Sequence, residues 1–126
     1  MGSATTTAGS VCILVVDDHA DTVGVLRQLL ALEGYSVITA TTAAEATRLA
    51  SDGKCHLLVS DVGLPDRSGL QLMAELRAQY GLRGIALSGY TEAADLKAAR
   101  DAGFERFLAK PVQFEKLIAA VRELTA

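Results

Sequence analysis

His56–Leu57–Leu58–Val59–Ser60–Asp61 is a nearly continuous apolar run that ends in a carboxylate. Apolar residues in succession, without polar alternation, suit a strand covered on both faces, as in a parallel sheet layered between helices. Three other short runs have the same form. Val11 to Val16 ends in Asp17–Asp18, Ile85–Ala86–Leu87 ends in Ser88–Gly89, and Phe107–Leu108–Ala109 ends in Lys110–Pro111. If the four strands are parallel, their ends meet at one edge of the sheet. Three acids, a hydroxyl and an ammonium then share one small site.

The rest of the chain supports parallel strands. Short apolar runs alternate with longer stretches of helical periodicity, the pattern of βαβ units. Strand one, Cys12–Val16, precedes a helix from about Asp21 to Glu33, with Gly34 placed to stop it. Strand two is Ser36–Ala40; Thr42 and Glu45 then form a capping-box pattern for a helix reaching about Ser51. Strand three is Leu57–Ser60, and Ser68 with Gln71 repeats the capping pattern for a helix to about Tyr80. Strand four is Ile85–Leu87, followed by a helix from near Thr91 to Gly103. Strand five, Arg106–Ala109, alternates in part and suits a sheet edge. A fifth helix follows Val112, with Phe114, Leu117, Ile118, Val121 and Leu124 on one stripe. The expected fold is α/β, a three-layer doubly wound sheet of flavodoxin-like type. Its five parallel strands take the order 2-1-3-4-5, with helices on both faces. Ligands bind such sheets beyond the carboxyl ends of the strands.

The 126 residues are expected to form one domain over 11–126, preceded by a disordered lead-in or linker at 1–10 that is small and polar. A net charge of −3 gives no basic field for nucleic acid. No apolar stretch approaches the ~18 residues of a membrane span, and residues 1–10 lack the features of a signal peptide. A cytoplasmic protein, monomeric or weakly dimeric, is expected. Cys12 and Cys55 lack close spacing and read as free buried thiols, which a reducing compartment favours over a disulfide.

Asp17, Asp18 and Asp61 at one edge would oppose one another's ionisation. A bound divalent cation resolves this, and hard oxygen ligands beside a phosphate suit Mg²⁺. Lys110 adds positive charge on the other side. Metal and ammonium neutralising a transferring group while a carboxylate attacks is the chemistry of phosphoryl transfer.

With these residues in place, the chain resembles the receiver domain of two-component response regulators over about Val11 to Thr125. The motifs are Val-Val-Asp-Asp (15–18), Ser-Asp-Val-Gly-Leu-Pro-Asp-Arg-Ser-Gly (60–69), Ala-Leu-Ser-Gly-Tyr (86–90) and Phe-Leu-Ala-Lys-Pro (107–111). The resemblance implies that Asp61 accepts a phosphoryl group from a phosphohistidine. It implies Asp18 as a direct Mg²⁺ ligand, Asp17 as a ligand through water, and the Gly63 carbonyl as the backbone ligand. Ser88 matches the switch hydroxyl, Phe107 the switch aromatic, and Lys110 the ion-pair partner of the phosphoryl group. The backbone of Val62 and Gly89 is expected to contact that group, and a cis bond is expected before Pro111. Val25, on the first helix, matches a docking position for a histidine kinase or histidine-phosphotransfer domain. The chain departs from the family where Ser88 replaces the usual Thr, Phe107 a Tyr and Leu64 a Met. Gly63 and Tyr90 flank the path of the hydrolytic water in relatives.

Plainer readings exist for single residues. Asp17–Asp18 can cap a helix and turn, His19 can be a solvated loop residue, His56 structural and Tyr90 surface. Val25 can be partly buried in a broad apolar stripe. It is the joint arrangement at the strand ends that favours a site. The resulting expectation is a Mg²⁺-dependent aspartyl-phosphate switch with self-catalysed phosphorylation and dephosphorylation, a signalling module rather than an enzyme. It is either free-standing or the receiver of a hybrid histidine kinase. The alternatives are an aspartyl-phosphate phosphohydrolase and a pseudoreceiver without chemistry. The adjacency of Asp17 and Asp18 argues against the first, and the intact acids, Ser88 and Lys110 against the second.

Overall fold

Strands form where apolar runs can be covered from both sides, and helices where a single stripe is apolar. In the computed structural model this gives β1 (Cys12–Val16), α1 (Ala20–Leu32), β2 (Ser36–Ala40), α2 (Ala43–Ala50) and β3 (Leu57–Asp61). The chain continues through α3 (Gly69–Tyr80), β4 (Arg83–Ser88), α4 (Ala93–Ala102), β5 (Phe104–Ala109) and α5 (Phe114–Thr125). The structure describes residues 11–89 and 93–125, the side chains of 93 and 94 excepted. The expected lead-in at 1–10, Tyr90 and the expected helix start near Thr91 lie outside the described residues. All strand pairs are parallel, in the order β2-β1-β3-β4-β5. The fold is the expected doubly wound sheet. No helix among the described residues is long and apolar enough to cross a membrane.

β3 is the central strand and is buried at all five positions. Along β1 the side chains alternate between two cores. Leu14 and Val16 pack with Leu58, Leu72, Met73, Leu76 and Phe104 on the α2–α3–α4 face. Ile13 and Val15 pack with Leu26, Leu30, Val59, Leu117 and Val121 on the α1–α5 face. Two apolar layers thus cover the two faces of the sheet. α2 buries only alanines, Ala43, Ala46 and Ala50, and so sits close to the sheet.

Local chemistry sets the helix ends. α1 closes in a Schellman arrangement: Gly34 N–H donates to the Ala31 carbonyl at 3.0 Å and Tyr35 N–H to that of Leu30 at 3.3 Å. Gly34 takes φ 96°, as its expected role requires. Thr42 accepts from Glu45 N–H at 3.1 Å, but the Glu45 carboxylate returns to Thr41 N–H at 3.0 Å, one residue before the cap. Ser68 accepts from Leu70 N–H rather than from that of Gln71.

β4 and β5 begin two residues earlier than their apolar runs suggest. Arg83 opens β4 and Glu105 is the second residue of β5, and their side chains pair, Arg83 Nη2 to Glu105 Oε1 at 2.8 Å and Nε to Oε2 at 2.9 Å. Charges that satisfy each other at a sheet edge need not end a ladder. Gly84 follows because a Cβ there would collide with Met73 Sδ and lie 2.9 Å from Phe104 Cδ1.

Candidate functional site

Parallel register fixes the strand ends at one level. Val16 pairs with Ser60, and Asp61 with Leu87. Lys110 N–H donates to the Ser88 carbonyl at 2.9 Å and carries the β4–β5 ladder to the site. Asp17, Asp18, Asp61, Ser88 and Lys110 therefore converge on one edge. The Lys110–Pro111 bond is cis.

Lys110 is the hinge of the charge arrangement. Its Nζ hydrogen-bonds Asp61 Oδ2 at 2.9 Å and lies 2.9 Å from Asp17 Oδ2. Asp17 is fully buried. Its Oδ1 accepts from His19 N–H at 2.9 Å and faces His19 Nδ1 at 3.0 Å. Its Oδ2, despite the nearby ammonium, is in a buried position without a hydrogen bond among the described residues. Burial pushes the Asp17 carboxyl up, but the His19 N–H, the Lys110 ammonium and the His19 ring outweigh it and hold the group below its usual range. Burial pulls Lys110 down, but its contacts to Asp17 and Asp61 leave it raised. The site keeps both signs of charge at neutral pH.

His19 is solvated, as its plainer reading has it, and also turns back on the acids. Its side chain is 69% exposed, yet Nδ1 lies 3.1 Å from Asp18 Oδ1 as well as beside Asp17. The hydrogen bond to Asp17 and the Asp18 charge raise its basicity. Asp17, Asp18 and His19 each offer a ligand atom within 4.8 Å of the others. The donors suit a hard divalent cation: two carboxylates, one with a buried oxygen lacking a hydrogen bond, the other open to solvent.

Asp61 ends β3 inside a tightly built loop. Its Oδ1 accepts from Gly63 N–H at 3.1 Å. Gly69 N–H donates to the Val62 carbonyl at 2.7 Å. A Cβ on Gly69 would collide with the Asp61 carbonyl oxygen and sit 2.9 Å from Val62 Cα. The Val62 N–H, expected to face a phosphoryl group, instead donates to the Leu87 carbonyl at 3.1 Å and belongs to the sheet ladder. The amide aimed at the Asp61 carboxylate is that of Gly63. Gly89 is exposed, with open space where a side chain would stand.

Asp66, missed as a functional position, leaves this loop to reach α2. Its carboxylate accepts from Ala43 N–H at 2.8 Å and from Ala44 N–H at 2.9 Å. Arg67 adds Glu75 of α3 at 2.8 Å and Thr47 of α2 at 3.1 Å. Asp is a favoured helix-capping type, but a cap donated from 23 residues away leaves no local spacing to recognise.

Ser88 and Phe107 share a cavity of about 460 Å³ with Val62, Ala86, Leu96 and Ala99. Phe107 is half-buried, and the Arg100 guanidinium carbon stands 5.6 Å from its ring centroid. Val25 of α1 is 54% exposed. It lines a cleft of about 500 Å³ with His19, Thr22, Lys110 and Pro111.

Comparison with known proteins assigns the chain to a family. The profile of the response regulator receiver domain matches residues 13–122. The chain belongs to that family. The transcriptional regulatory protein KdpE of Mycobacterium tuberculosis is 36% identical over 110 residues, which cover 87% of this chain and 49% of KdpE. This receiver domain thus spans about half the length of the KdpE regulators it matches. An uncharacterized 14.6 kDa protein of Leptolyngbya boryana is 41% identical over 114 residues, covering 88% of this chain and 87% of the relative. The CheY-like response regulator receiver domain protein of Methanospirillum hungatei JF-1 superposes with a TM-score of 0.85 at 28% identity. The match covers 91% of the receiver domain and 93% of that protein.

Proposed function

We propose that this receiver domain, as one unit over residues 11–126, is a phosphoacceptor switch that takes a phosphoryl group on Asp61. The donor is the phosphohistidine of a histidine kinase or phosphotransfer domain. The observation that carries this is the single ammonium of Lys110 shared between Asp17 of β1 and Asp61 of β3, which keeps Asp61 beside a counter-charge. A carboxylate oxygen of Asp61 attacks phosphorus, the P–N bond to the donor imidazole breaks, and the imidazole leaves with its electron pair.

Asp17 and Asp18, with Asp61 and the Gly63 carbonyl, would hold Mg²⁺. The ion would neutralise the oxygens of the transferring group. Lys110 moves from the Asp61 oxygen to the phosphoryl oxygen that replaces its charge. The Gly89 N–H and the Ser88 hydroxyl supply donors to the same group, and Val62 N–H joins them only by giving up the Leu87 carbonyl. Phosphorylation adds roughly −1.5 to −2 charge. That charge draws Ser88 inward, and the cavity beside it leaves room for the Phe107 ring to follow. The Val25 face of α1, beside the site and exposed, is the surface offered to the donor. The switch controls a partner or a fused domain, which can be a histidine kinase, and it operates in the cytoplasm.

The test is incubation with acetyl phosphate and Mg²⁺, read by intact mass. Wild type gains one phosphoryl group of about 80 Da, Asp61→Asn gains none, and omission of Mg²⁺ abolishes the gain. An equal gain in Asp61→Asn would reassign the acceptor. No gain in wild type would leave an interaction module without phosphoryl chemistry.

A further inference from the structure

The two cysteines are 43 positions apart in sequence, yet their sulfurs lie 4.0 Å apart. Cys12 opens β1, and Cys55 stands just before β3, the neighbouring strand. The pairing of β1 with β3 brings them together. His56 locks the register: its N–H donates to the Cys12 carbonyl at 2.9 Å, and its Nδ1 accepts from Cys12 N–H at 3.0 Å. This occurs at the edge of the sheet opposite the acids, where Cys55 and His56 line a cleft of about 320 Å³ with Val11, Tyr80 and Leu124.

We infer that Cys12 and Cys55 form a redox couple, which a peroxide closes to an intramolecular disulfide and a small thiol reopens. A sulfur–sulfur bond is about 2.05 Å long, so closure needs an approach of about 2 Å. Rotation of the two side chains, one at a strand start and one in the flanking segment, would have to supply it. The thiols are not equivalent. Cys12 is half-buried, whereas Cys55 is buried. Burial pushes the Cys55 thiol up to about 12, with the neighbouring Cys12 sulfur adding to it. Burial raises Cys12 too, but a hydrogen bond from the Cys55 thiol works in the opposite direction. Cys12 is therefore the attacking sulfur and Cys55 the resolving one.

The chemistry balances in two steps. The Cys12 sulfur attacks one peroxide oxygen, the O–O bond breaks, and the departing hydroxide takes the thiol proton and leaves as water. The Cys12 sulfenic acid is then attacked by the Cys55 sulfur, the S–O bond breaks, and the second hydroxide leaves as water with the Cys55 proton. Two thiols lose two electrons and one peroxide becomes two waters. The product staples together the two strands whose far ends carry Asp17 and Asp61.

The full chain is treated with hydrogen peroxide in several-fold excess and followed by intact mass, thiol titration and circular dichroism. The expected result is a loss of about 2 Da with disappearance of both thiols, monomeric mobility without reductant, and recovery with dithiothreitol. The rate rises with pH as Cys12 deprotonates. Oxidised protein melts at a higher temperature than reduced protein. Cys12→Ser leaves Cys55 unreacted under the same exposure, and Cys55→Ser gains a trappable sulfenic acid on Cys12. Two titratable thiols persisting in wild type that remains folded would overturn the inference, as would oxidation that yields only disulfide-linked dimers. The reading does not depend on phosphorylation of Asp61, which acetyl phosphate tests independently.

Discussion

At Lys110 one ammonium serves two carboxylates, so its loss leaves a buried Asp17 facing Asp61 with no counter-charge from β5. The Lys110 side chain is itself 27% exposed, which moderates the cost. Lys110→Met is expected to lower conformational stability at neutral pH by about 1–3 kcal/mol, less than for a wholly buried pair. It also slows phosphorylation by acetyl phosphate. Urea denaturation checks the first effect and time-resolved mass measurement the second; an unshifted midpoint would show that water, not Lys110, stabilises the acids. The acids and the lysine were legible in the sequence because each ends an apolar run, and chain direction alone then places them together. The His19 contact was not. Nothing in its spacing distinguishes a ring turned back on two carboxylates from one turned to solvent.

The loop between β3 and α3 is an element in its own right, held at one end by the absence of a side chain and at the other by Asp66. Gly69→Ala forces a methyl group against the Asp61 carbonyl and the Val62 backbone. Backbone yields less readily than a side chain, and the expected cost is about 1–3 kcal/mol, read from chemical denaturation. A variant of wild-type stability would mean that the loop relaxes freely. Asp66 makes a different prediction. The Ala43 N–H, then that of Ala44, hold its carboxyl below the ordinary carboxylate range. A folded value lower than the unfolded one adds stability above the unfolded value, and that stability fades as pH falls through the folded one. The melting temperature of Asp66→Ala should therefore lie below wild type at neutral pH, and the gap should close as pH drops below about 4. A gap constant with pH would trace the effect to packing rather than charge. Helices and central strands could be read from periodicity. The starts of β4 and β5 could not, because Arg83 and Glu105 look like loop residues until each is seen across from the other.

Across the whole molecule, the site edge offers two surfaces of different kind. One is the cavity beside Ser88 and Phe107, the other the Val25 cleft. Val25 is exposed enough that Val25→Glu should alter stability by no more than about 0.5 kcal/mol. It should slow transfer from a phosphohistidine domain while leaving the acetyl phosphate reaction unchanged. Parallel stopped-flow and mass assays separate the two donors, and equal behaviour with both would remove Val25 from the docking face. Layering was readable from the sequence because it follows from burial, and crossover hand from chirality; the order 2-1-3-4-5 is one of several that these rules allow. The closeness of Cys12 and Cys55 was not readable, since thiols brought together by strand order carry no spacing signature. The same strand order sets when the chain becomes competent. Synthesis runs from the amino end, so Asp17 and Asp61 leave the ribosome well before residue 110. A nascent chain that has reached only β3 holds Asp17 and Asp61 without the Lys110 ammonium they share. The counter-charge shared by the two acids is therefore the last part of this edge to be made.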